Sequence, residues 1–498
     1  MTNIDWKQRF LKNSLSGLIS TGLSLVFALV MFRELFNSLS DVEFGFWALM
    51  WSIFGMGFVL DLGIGLSVQK AIAERSGTRD IAGMNRLIST AFWAFVAIGA
   101  VAFLVMAIVR DPFLALVKIP AEYLPELGTA YLIFAAALTL TLPLALFSEI
   151  LHGIQRIDLT NWILVAAMLV NFVLIMSAVW LGWGFIAIVS FAAALTVLPN
   201  AVFAVLGLRM VPGLSIHPKH FSLPDLRGQV GFSMSAYFVT ASNKVLEQSD
   251  RIIIGAVLGA AAVKPYQAAL KVAEILRLFA AQLGTVVSPA AANLNGDKQG
   301  LSDLLLRTSR FNFMLVTPVY ILAAAYLNPA LKALTALEEI PHEMWFIGQL
   351  LLFGVYHSQI AGVCASRVLI MSGHERALLK FTALQAATNI ALSLMLVLPY
   401  GSPGVAFATL LCCVTFSWGL ILPKILRSVE VRFADFARYH FNGALPWLAC
   451  LVAALAILLY AFPIAQGAGI FALLWRGTAV MVPTLIASFP ILRSTWTN

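Results

Sequence analysis

The sequence predicts an all-α polytopic membrane protein with about 14 transmembrane helices: two six-helix bundles related by a pseudo-two-fold axis along the membrane normal, plus two C-terminal helices. Three observations predict this fold class. Sixty per cent of the 498 residues are hydrophobic and only 11% are charged, which excludes a soluble globular chain. Apolar runs long enough to cross a bilayer recur from end to end. The first twelve runs form two sets with matching features.

The predicted spans divide the chain into four parts, and none of the polar segments between spans is long enough for a soluble domain. These parts are an N-terminal bundle in 1–208, a cytoplasmic connector in 209–228, a C-terminal bundle in 229–428 and two additional helices in 429–498. The spans lie at 13–36, 44–65, 87–109, 128–151, 160–182, 184–208, 229–257, 264–292, 304–326, 344–370, 378–399, 402–423, 441–462 and 467–492.

The first span follows Lys7, Arg9 and Lys12, as the apolar region of a secretory signal would. However, the run is long, lacks a small-residue cleavage site and ends in Arg33-Glu34, so we interpret it as a transmembrane helix.

The second span belongs to the stretch 44–75, which as one helix would be about 48 Å long, against a hydrocarbon core of ~30 Å. It must bend or protrude, and Gly63 and Gly65 mark the expected break. Asp61, just before them, would cost ~2.5–3.5 kcal/mol in a membrane, so it should face a cavity or a partner. The alternative is that Asp61 caps or pairs locally where the helix breaks.

An internal repeat of about 220 residues relates the two sets of six spans. Corresponding pairs are Gly77 and Gly296, Gly153–Arg156 and Gly373–Arg376, Gly184 and Gly404, and Asp61–Gly63 and Gln282–Gly284. Because each set has an even number of spans, both sets have the same orientation. We therefore expect them to superpose by rotation about the membrane normal, with the substrate bound where they meet.

Loop charges predict that both termini are cytoplasmic. One side of the predicted membrane holds most of the basic residues: Lys7, Arg9, Lys12, Lys70, Arg75, Arg79, Arg86, Arg156, Arg209, Lys219, Arg227, Lys298, Arg307, Arg310, Arg376, Lys380, Lys424, Arg427, Arg432 and Arg438. The other side holds Arg33, Arg110, Lys118, Lys264 and Lys332. Because the net charge of +8 is dispersed over short loops, we expect no nucleic-acid partner.

The seventh and eighth spans each carry a polar stripe at helical spacing. The stripe of the seventh is Ser233, Tyr237, Thr240, Lys244, Glu247 and Arg251, and that of the eighth is Gln267, Lys271, Glu274, Gln282 and Thr285, with Arg277 at its edge. Two charged stripes cannot both face lipid, so they must line a hydrated cavity or pair. Lys244–Glu247 and Lys271–Glu274 are spaced i,i+3 and could also neutralise each other locally.

Two sets of motifs resemble the polysaccharide transporter family, whose members are lipid-linked oligosaccharide (O-antigen) flippases of the multidrug/oligosaccharidyl-lipid/polysaccharide exporter superfamily. The first is Phe44–Trp47, Leu60–Gly65 and Ala73–Arg75, with Phe44 replacing the usual tyrosine. The second is Ser249–Gly255, Tyr266–Ala269 and Ser288-Pro289. The resemblance covers the first twelve spans and implies two six-helix bundles around a V-shaped cavity that opens alternately to each side.

The resemblance also implies a polyprenyl-diphosphate-linked oligosaccharide as substrate, moved from the cytoplasmic to the periplasmic face of a bacterial inner membrane. Such a substrate needs cations for the diphosphate and polar or aromatic groups for the sugars. The candidates for the diphosphate are Lys244, Arg251, Lys271 and Arg277, and those for the sugars are Tyr237, Gln267 and Gln282. Asp61, Glu247, Asp250 and Glu274 are candidates for ion coupling or charge pairing.

Glu149 and Arg367 occupy near-equivalent repeat positions and could close a cytoplasmic gate, or reach to the interface. Arg476, in the last span, has no evident partner. The four cysteines have no ligand-like spacing, and nucleotide-binding and metalloprotease motifs are missing, so we expect no cofactor, no metal and no enzymatic activity.

Two other functions stay open. A cation-coupled drug or metabolite exporter of the same superfamily would favour acidic and aromatic groups over the cationic set. A membrane-embedded glycan polymerase or ligase would need a sizeable periplasmic loop. We expect the protein to act as a monomer among membrane lipids, with other glycan-assembly proteins as candidate partners.

Overall fold

The computed structural model describes residues 6–78, 80–294, 297–442, 447–449, 451–453 and 455–456. Every regular element in these ranges is helical, which confirms the all-α prediction. The α-helices are α1 (Trp6–Ser38), α2 (Asp41–Met56), α3 (Ile64–Thr78), α4 (Ile81–Leu116), α5 (Leu124–Gly153), α6 (Ile157–Trp180), α7 (Phe185–Met210), α8 (Leu223–Leu258), α9 (Val263–Asn293), α10 (Lys298–Ala325), α11 (Leu327–Thr335), α12 (His342–Met371), α13 (Glu375–Phe416), α14 (Leu422–Ser428) and α15 (Phe433–Phe441).

Seven segments in these ranges are long and apolar enough to cross a membrane, so the chain is a multi-pass membrane protein. They are Asp41–Asp61, Ile81–Leu116, Ala121–Gly153, Ile157–Trp180, Phe185–Met210, His342–Met371 and Glu375–Ser428. A short helix absent from the predicted spans, α11, follows α10 at a bend of 69°, and the two together make an eighth candidate. The predicted span 467–492 and most of 441–462 lie outside the described ranges.

The predicted break in the second span is present. α2 ends at Met56, a 3₁₀ turn occupies Gly57–Asp61, and α3 begins at Ile64. Leu62 (φ 51°) and Gly63 (φ 75°) adopt left-handed conformations between the two helices. The break therefore starts before the predicted glycines. Gly63 adopts the left-handed backbone conformation that residues with a Cβ disfavour.

Contacts divide the chain into two compact units, residues 1–264 and 265–498. In the first unit α5 packs against α4 and α7, and α1 packs against α6. Its core is a cluster that includes Ile88, Phe95, Phe147, Ile150 and Phe203. α8 contacts α2, α3 and α4, so the seventh predicted span packs with the helices of the N-terminal bundle.

Polar side chains of α4 hold the connector that leads into α8. Asn85 donates to Gly213 O at 3.0 Å and accepts from Ser215 N at 2.9 Å. Thr90 Oγ1 accepts from Ser222 N at 3.0 Å. Ser222 in turn caps α8, which begins at Leu223, inside the predicted connector. The irregular part of the connector is thus shorter than the sequence predicts.

In the second unit α12 packs against α10, α13 and α14. The core includes Leu305, Val368, Leu369, Ile425 and Phe436. α13 contains a kink at Gly401 (φ 62°, ψ −147°), where the sequence predicts the break between the spans 378–399 and 402–423. Only glycine adopts this conformation without strain.

Candidate functional site

The polar stripe of α8 contains a local ion pair and a buried arginine. Lys244 Nζ lies 3.1 Å from Glu247 Oε2. Arg251 is only 6% exposed, and its guanidinium donates to Glu247 O at 3.1 Å and to Gln248 Oε1 at 2.6 Å. The i,i+3 neutralisation predicted for Lys244 and Glu247 is therefore formed.

Small residues bring α8 close to α2. A Cβ on Gly55 would lie 3.0 Å from the Gln248 side-chain nitrogen, and one on Gly255 would lie 2.7 Å from Leu49. Gln248 is the side chain that accepts from Arg251, so this arginine is anchored where α8 meets α2. Asp250 is also buried. The arginine and glycine of the motif 249–255 thus both lie at this helix–helix contact.

The helix break of the second span brings together three residues that the sequence places in different roles. Asp61 Oδ1 accepts from Gly65 N at 3.1 Å, which is a contact of the kind that the local capping alternative predicts. Tyr237 Oη, on α8, donates to Val59 O at 2.6 Å. Asp61 interacts electrostatically with Tyr237 and with Glu149 of α5, and Glu149 Oε2 lies 3.7 Å from His152 Nδ1.

The stripe of α9 repeats the pattern of α8. Lys271 Nζ lies 3.6 Å from Glu274 Oε2, and both side chains are largely buried. Arg277, one turn further, interacts electrostatically with Tyr320 of α10. Gln267 is buried near the start of the helix.

The other predicted site residues are Gln282, Arg367 and Arg476. Gln282 lies in the part of α9 that is described by its backbone only, and Arg476 lies outside the described ranges. Arg367 is exposed on α12, and its pairing with Glu149 in a gate stays a prediction. Within the described ranges no three His, Cys, Asp or Glu side chains are placed to hold a metal ion.

Lys264, which from the sequence counts only as a loop charge, makes contacts that its position in the sequence does not predict. Its Nζ donates to Leu39 O at 3.0 Å, lies 3.0 Å from Asp41 Oδ1 and sits 4.7 Å from the centroid of Phe36. Lys118 makes a comparable contact with Val257 O at 2.6 Å. Lys264 thus ties the start of α9 to the turn that follows α1, and Lys118, just after α4, holds the end of α8. No spacing in the sequence signals these pairs, because their members are far apart along the chain.

Comparison with known proteins gives a family and a fold. The family model described as "Polysaccharide biosynthesis protein" matches residues 38–336, more than half of the chain. No curated protein matches the sequence.

Solved structures of membrane transport proteins match 85–95% of the chain. Lipid II flippase MurJ, in an inward closed conformation, gives a TM-score of 0.75 at 14% identity over 95% of this chain and 99% of that chain. An inward-facing multidrug resistance MATE family transporter of the MOP superfamily gives 0.64 at 15% identity, over 85% and 99%. A mutant of the Vibrio cholerae MATE transporter VcmN gives 0.59 at 16% identity, over 85% and 97%.

At these identities the structural matches show the fold, and the family model shows the family. Both agree with the resemblance found in the sequence motifs. The chain belongs to the polysaccharide biosynthesis protein family and has the fold of the MOP superfamily, the multidrug/oligosaccharidyl-lipid/polysaccharide exporters.

Proposed function

We propose that the protein is a flippase that moves a polyprenyl-diphosphate-linked oligosaccharide from the cytoplasmic to the periplasmic face of a bacterial inner membrane by alternating access. The observation that carries the proposal is the repeated charge arrangement of α8 and α9. Each helix holds a Lys–Glu pair followed by an arginine: Lys244, Glu247 and Arg251, then Lys271, Glu274 and Arg277. Family membership and the MurJ-like fold support the same function.

Length and charge together make α8 and α9 unusual. With 36 and 31 residues they are long enough to span a bilayer, yet each carries lysine, glutamate and arginine side chains along its length. Ionisable groups in such helices usually face a bundle interior or a water-filled cavity and mark a substrate path. A polyprenyl diphosphate is a ligand that needs both cations and an apolar surface.

Paired cations would bind a diphosphate at low electrostatic cost. When the site is empty, Glu247 and Glu274 neutralise Lys244 and Lys271. A diphosphate would replace these carboxylates, so binding exchanges one set of charge contacts for another and leaves no bare charge buried. The arginines add bidentate contacts to phosphate oxygens, and Tyr237, Gln267 and Gln282 would bind sugars.

Two further features belong to the proposal. The excess of basic residues in alternate loops supports cytoplasmic termini, which reporter fusions on either side of α4 would test.

The MATE-like fold keeps a drug exporter as the second candidate. That candidate predicts that drug efflux, and not glycan export, is lost in the variants below.

Charge reversal at the cations tests the proposal. Lys271→Glu and Arg251→Glu should abolish surface glycan in a complementation assay while the protein remains inserted, because like charges would repel the diphosphate. Arg251→Lys should weaken export about 10- to 100-fold, since one charge-assisted hydrogen bond is worth about 1.5–3 kcal/mol. Membrane levels are measured alongside.

Two control variants separate binding from structure. Lys70→Glu reverses an exposed lysine that pairs with Glu74 at 3.7 Å on α3, and it should leave export unchanged. The swap Lys271→Glu with Glu274→Lys keeps an ion pair but moves the cation by one turn. If the pair is only structural, the swap restores export, and the proposal is wrong. Normal export by well-inserted Lys271→Glu would also overturn it.

A further inference from the structure

A histidine occupies the centre of a candidate membrane span. His357 lies midway along α12. The indole Nε1 of Trp418 donates to His357 Nδ1 at 3.1 Å. A neutral imidazole that accepts at Nδ1 carries its proton on Nε2, so the partly exposed ring presents a hydrogen-bond donor. Polar side chains at such a depth are costly and usually mark function.

His357 belongs to a row of aromatic rings that crosses three segments of the second unit. Ring centroids lie 5.6 Å apart for Tyr320 and Tyr356, 5.2 Å for Tyr356 and His357, and 6.1 Å for His357 and Trp418. Tyr320 is on α10, and Trp418 is in the π-helical turn Ser417–Ile421. π-Helical turns inside helices are frequent at functional sites. We call these four residues the aromatic row.

One end of the row has a polar group without a hydrogen-bond partner among the described residues. Tyr320 is 4% exposed, and no group in the described ranges hydrogen-bonds to its hydroxyl. By contrast, the hydroxyl of Tyr356 lies 3.1 Å from Thr317 Oγ1. A buried hydroxyl without a partner is unfavourable, and in native proteins it calls for a ligand or water. Arg277 of α9 interacts electrostatically with Tyr320.

We propose that the aromatic row, Tyr320, Tyr356, His357 and Trp418, binds the sugar next to the diphosphate of the lipid-linked substrate. A sugar ring has an apolar C–H face and a rim of hydroxyls, and aromatic side chains with polar tips match both. Arg277 would hold the diphosphate, which places the first sugar beside Tyr320. This inference rests on the proposed flippase function and adds the residues that recognise the glycan.

A purely structural role makes a different prediction. Polar side chains that only hold transmembrane helices together satisfy one another across the interface. The hydrogen bonds from Trp418 to His357 and between Tyr356 and Thr317 fit that role. It does not account for the Tyr320 hydroxyl, to which no described residue hydrogen-bonds, or for His357 Nε2. Removing these two groups separates the alternatives.

Lipid binding to the purified protein in nanodiscs tests the row. The two probes are undecaprenyl diphosphate and the undecaprenyl-diphosphate-linked glycan extracted from the bacterium that makes the protein. Tyr320→Phe and His357→Phe should weaken binding of the glycan-bearing lipid about tenfold, about 1.4 kcal/mol, and leave undecaprenyl diphosphate unaffected. Arg277→Gln should weaken both lipids.

Tyr400→Phe is the matched control, because it removes an exposed hydroxyl elsewhere in the same unit and should change neither affinity. If Tyr320→Phe or His357→Phe fails to fold, Tyr356→Phe takes its place, because it keeps the aromatic ring and removes only a hydroxyl. If wild type binds both lipids and Arg277→Gln weakens both, but the row variants do not distinguish them, this inference is wrong and the flippase proposal stands. If wild type binds neither lipid, the proposed function itself fails.

Discussion

His440 shows how a single buried side chain responds to its surroundings. It lies on α15, outside the candidate spans, and is 1% exposed. Its ring centroid is 4.8 Å from that of Phe313 and 5.1 Å from that of Phe436. This burial, together with the charge of Arg310, lowers the pKa of His440 to about 4. The imidazole is therefore neutral at pH 7.

Acid should loosen α15 through this histidine. An unfolded histidine titrates near pH 6.5, so between about pH 6.5 and 4 the unfolded state binds a proton that the folded state does not. The contribution of neutral His440 to the free energy of unfolding is therefore fully present above about pH 6.5. It falls by up to about 1.4 kcal/mol per pH unit as the pH decreases toward 4. His440→Phe should remove this component of the pH dependence of Tm in detergent.

The matched control is His342→Phe, since His342 is an exposed histidine in the same unit. It should show the pH dependence of the wild type. Identical pH profiles for the wild type and His440→Phe would contradict the assignment.

At the scale of elements, the contact between α2 and α8 depends on glycine. A Cβ on Gly45 would collide with the carbonyl oxygen of Ala260, in the turn after α8. That turn is fixed by a hydrogen bond from Ala260 N to Val117 O at 2.9 Å, so its backbone has little freedom to move. At Gly255 the neighbouring atoms belong to the Leu49 side chain and not to the backbone.

Gly45→Ala should lower the stability of the protein by about 1–3 kcal/mol, the usual cost of overpacking. Gly22→Ala on α1 is the matched control, because a Cβ there meets nothing within 4 Å. In a helix interior that change should be neutral or stabilise by up to about 1 kcal/mol. Thermal unfolding in detergent measures both, and equal Tm values for the two variants would contradict the close contact.

At the scale of the whole molecule, the alternating access that we propose needs a source of energy. The sequence contains no nucleotide-binding loop, so we expect coupling to an ion or proton gradient through Asp61, Glu247, Asp250 or Glu274. Collapse of the proton and sodium gradients and of the membrane potential should stop glycan export in vesicles. Export that survives full collapse would refute the coupling.

Asp61→Asn then separates two roles of one residue. The asparagine oxygen still accepts from Gly65 N, so the cap of α3 is kept, while the titratable charge is lost. Loss of export in this variant would assign the carrier to Asp61, and wild-type export would restrict Asp61 to capping. Glu74→Gln, at an exposed carboxylate of α3, is the control.

Local features of this protein could be predicted from its sequence alone. The breaks at Gly63 and Gly401 and the pairs Lys244–Glu247 and Lys271–Glu274 are all present in the structure. Each of them depends on residues within a turn or two of one another: apolar length against bilayer thickness, glycine conformation, and i,i+3 spacing on a helix. The family motifs are equally local.

Contacts between distant segments were decided only by the tertiary structure. Hydropathy and spacing do not state which helix faces meet, so they could not place Tyr237 and Glu149 beside Asp61, or Lys264 beside Asp41. The same holds for His357 and Trp418, which belong to different helical segments. The sequence by itself determined where helices begin, break and carry charge. Tertiary packing decided which of those charged and aromatic side chains lie in contact. Packing depends on the shapes of all the helix faces at once, and these are not read from local spacing.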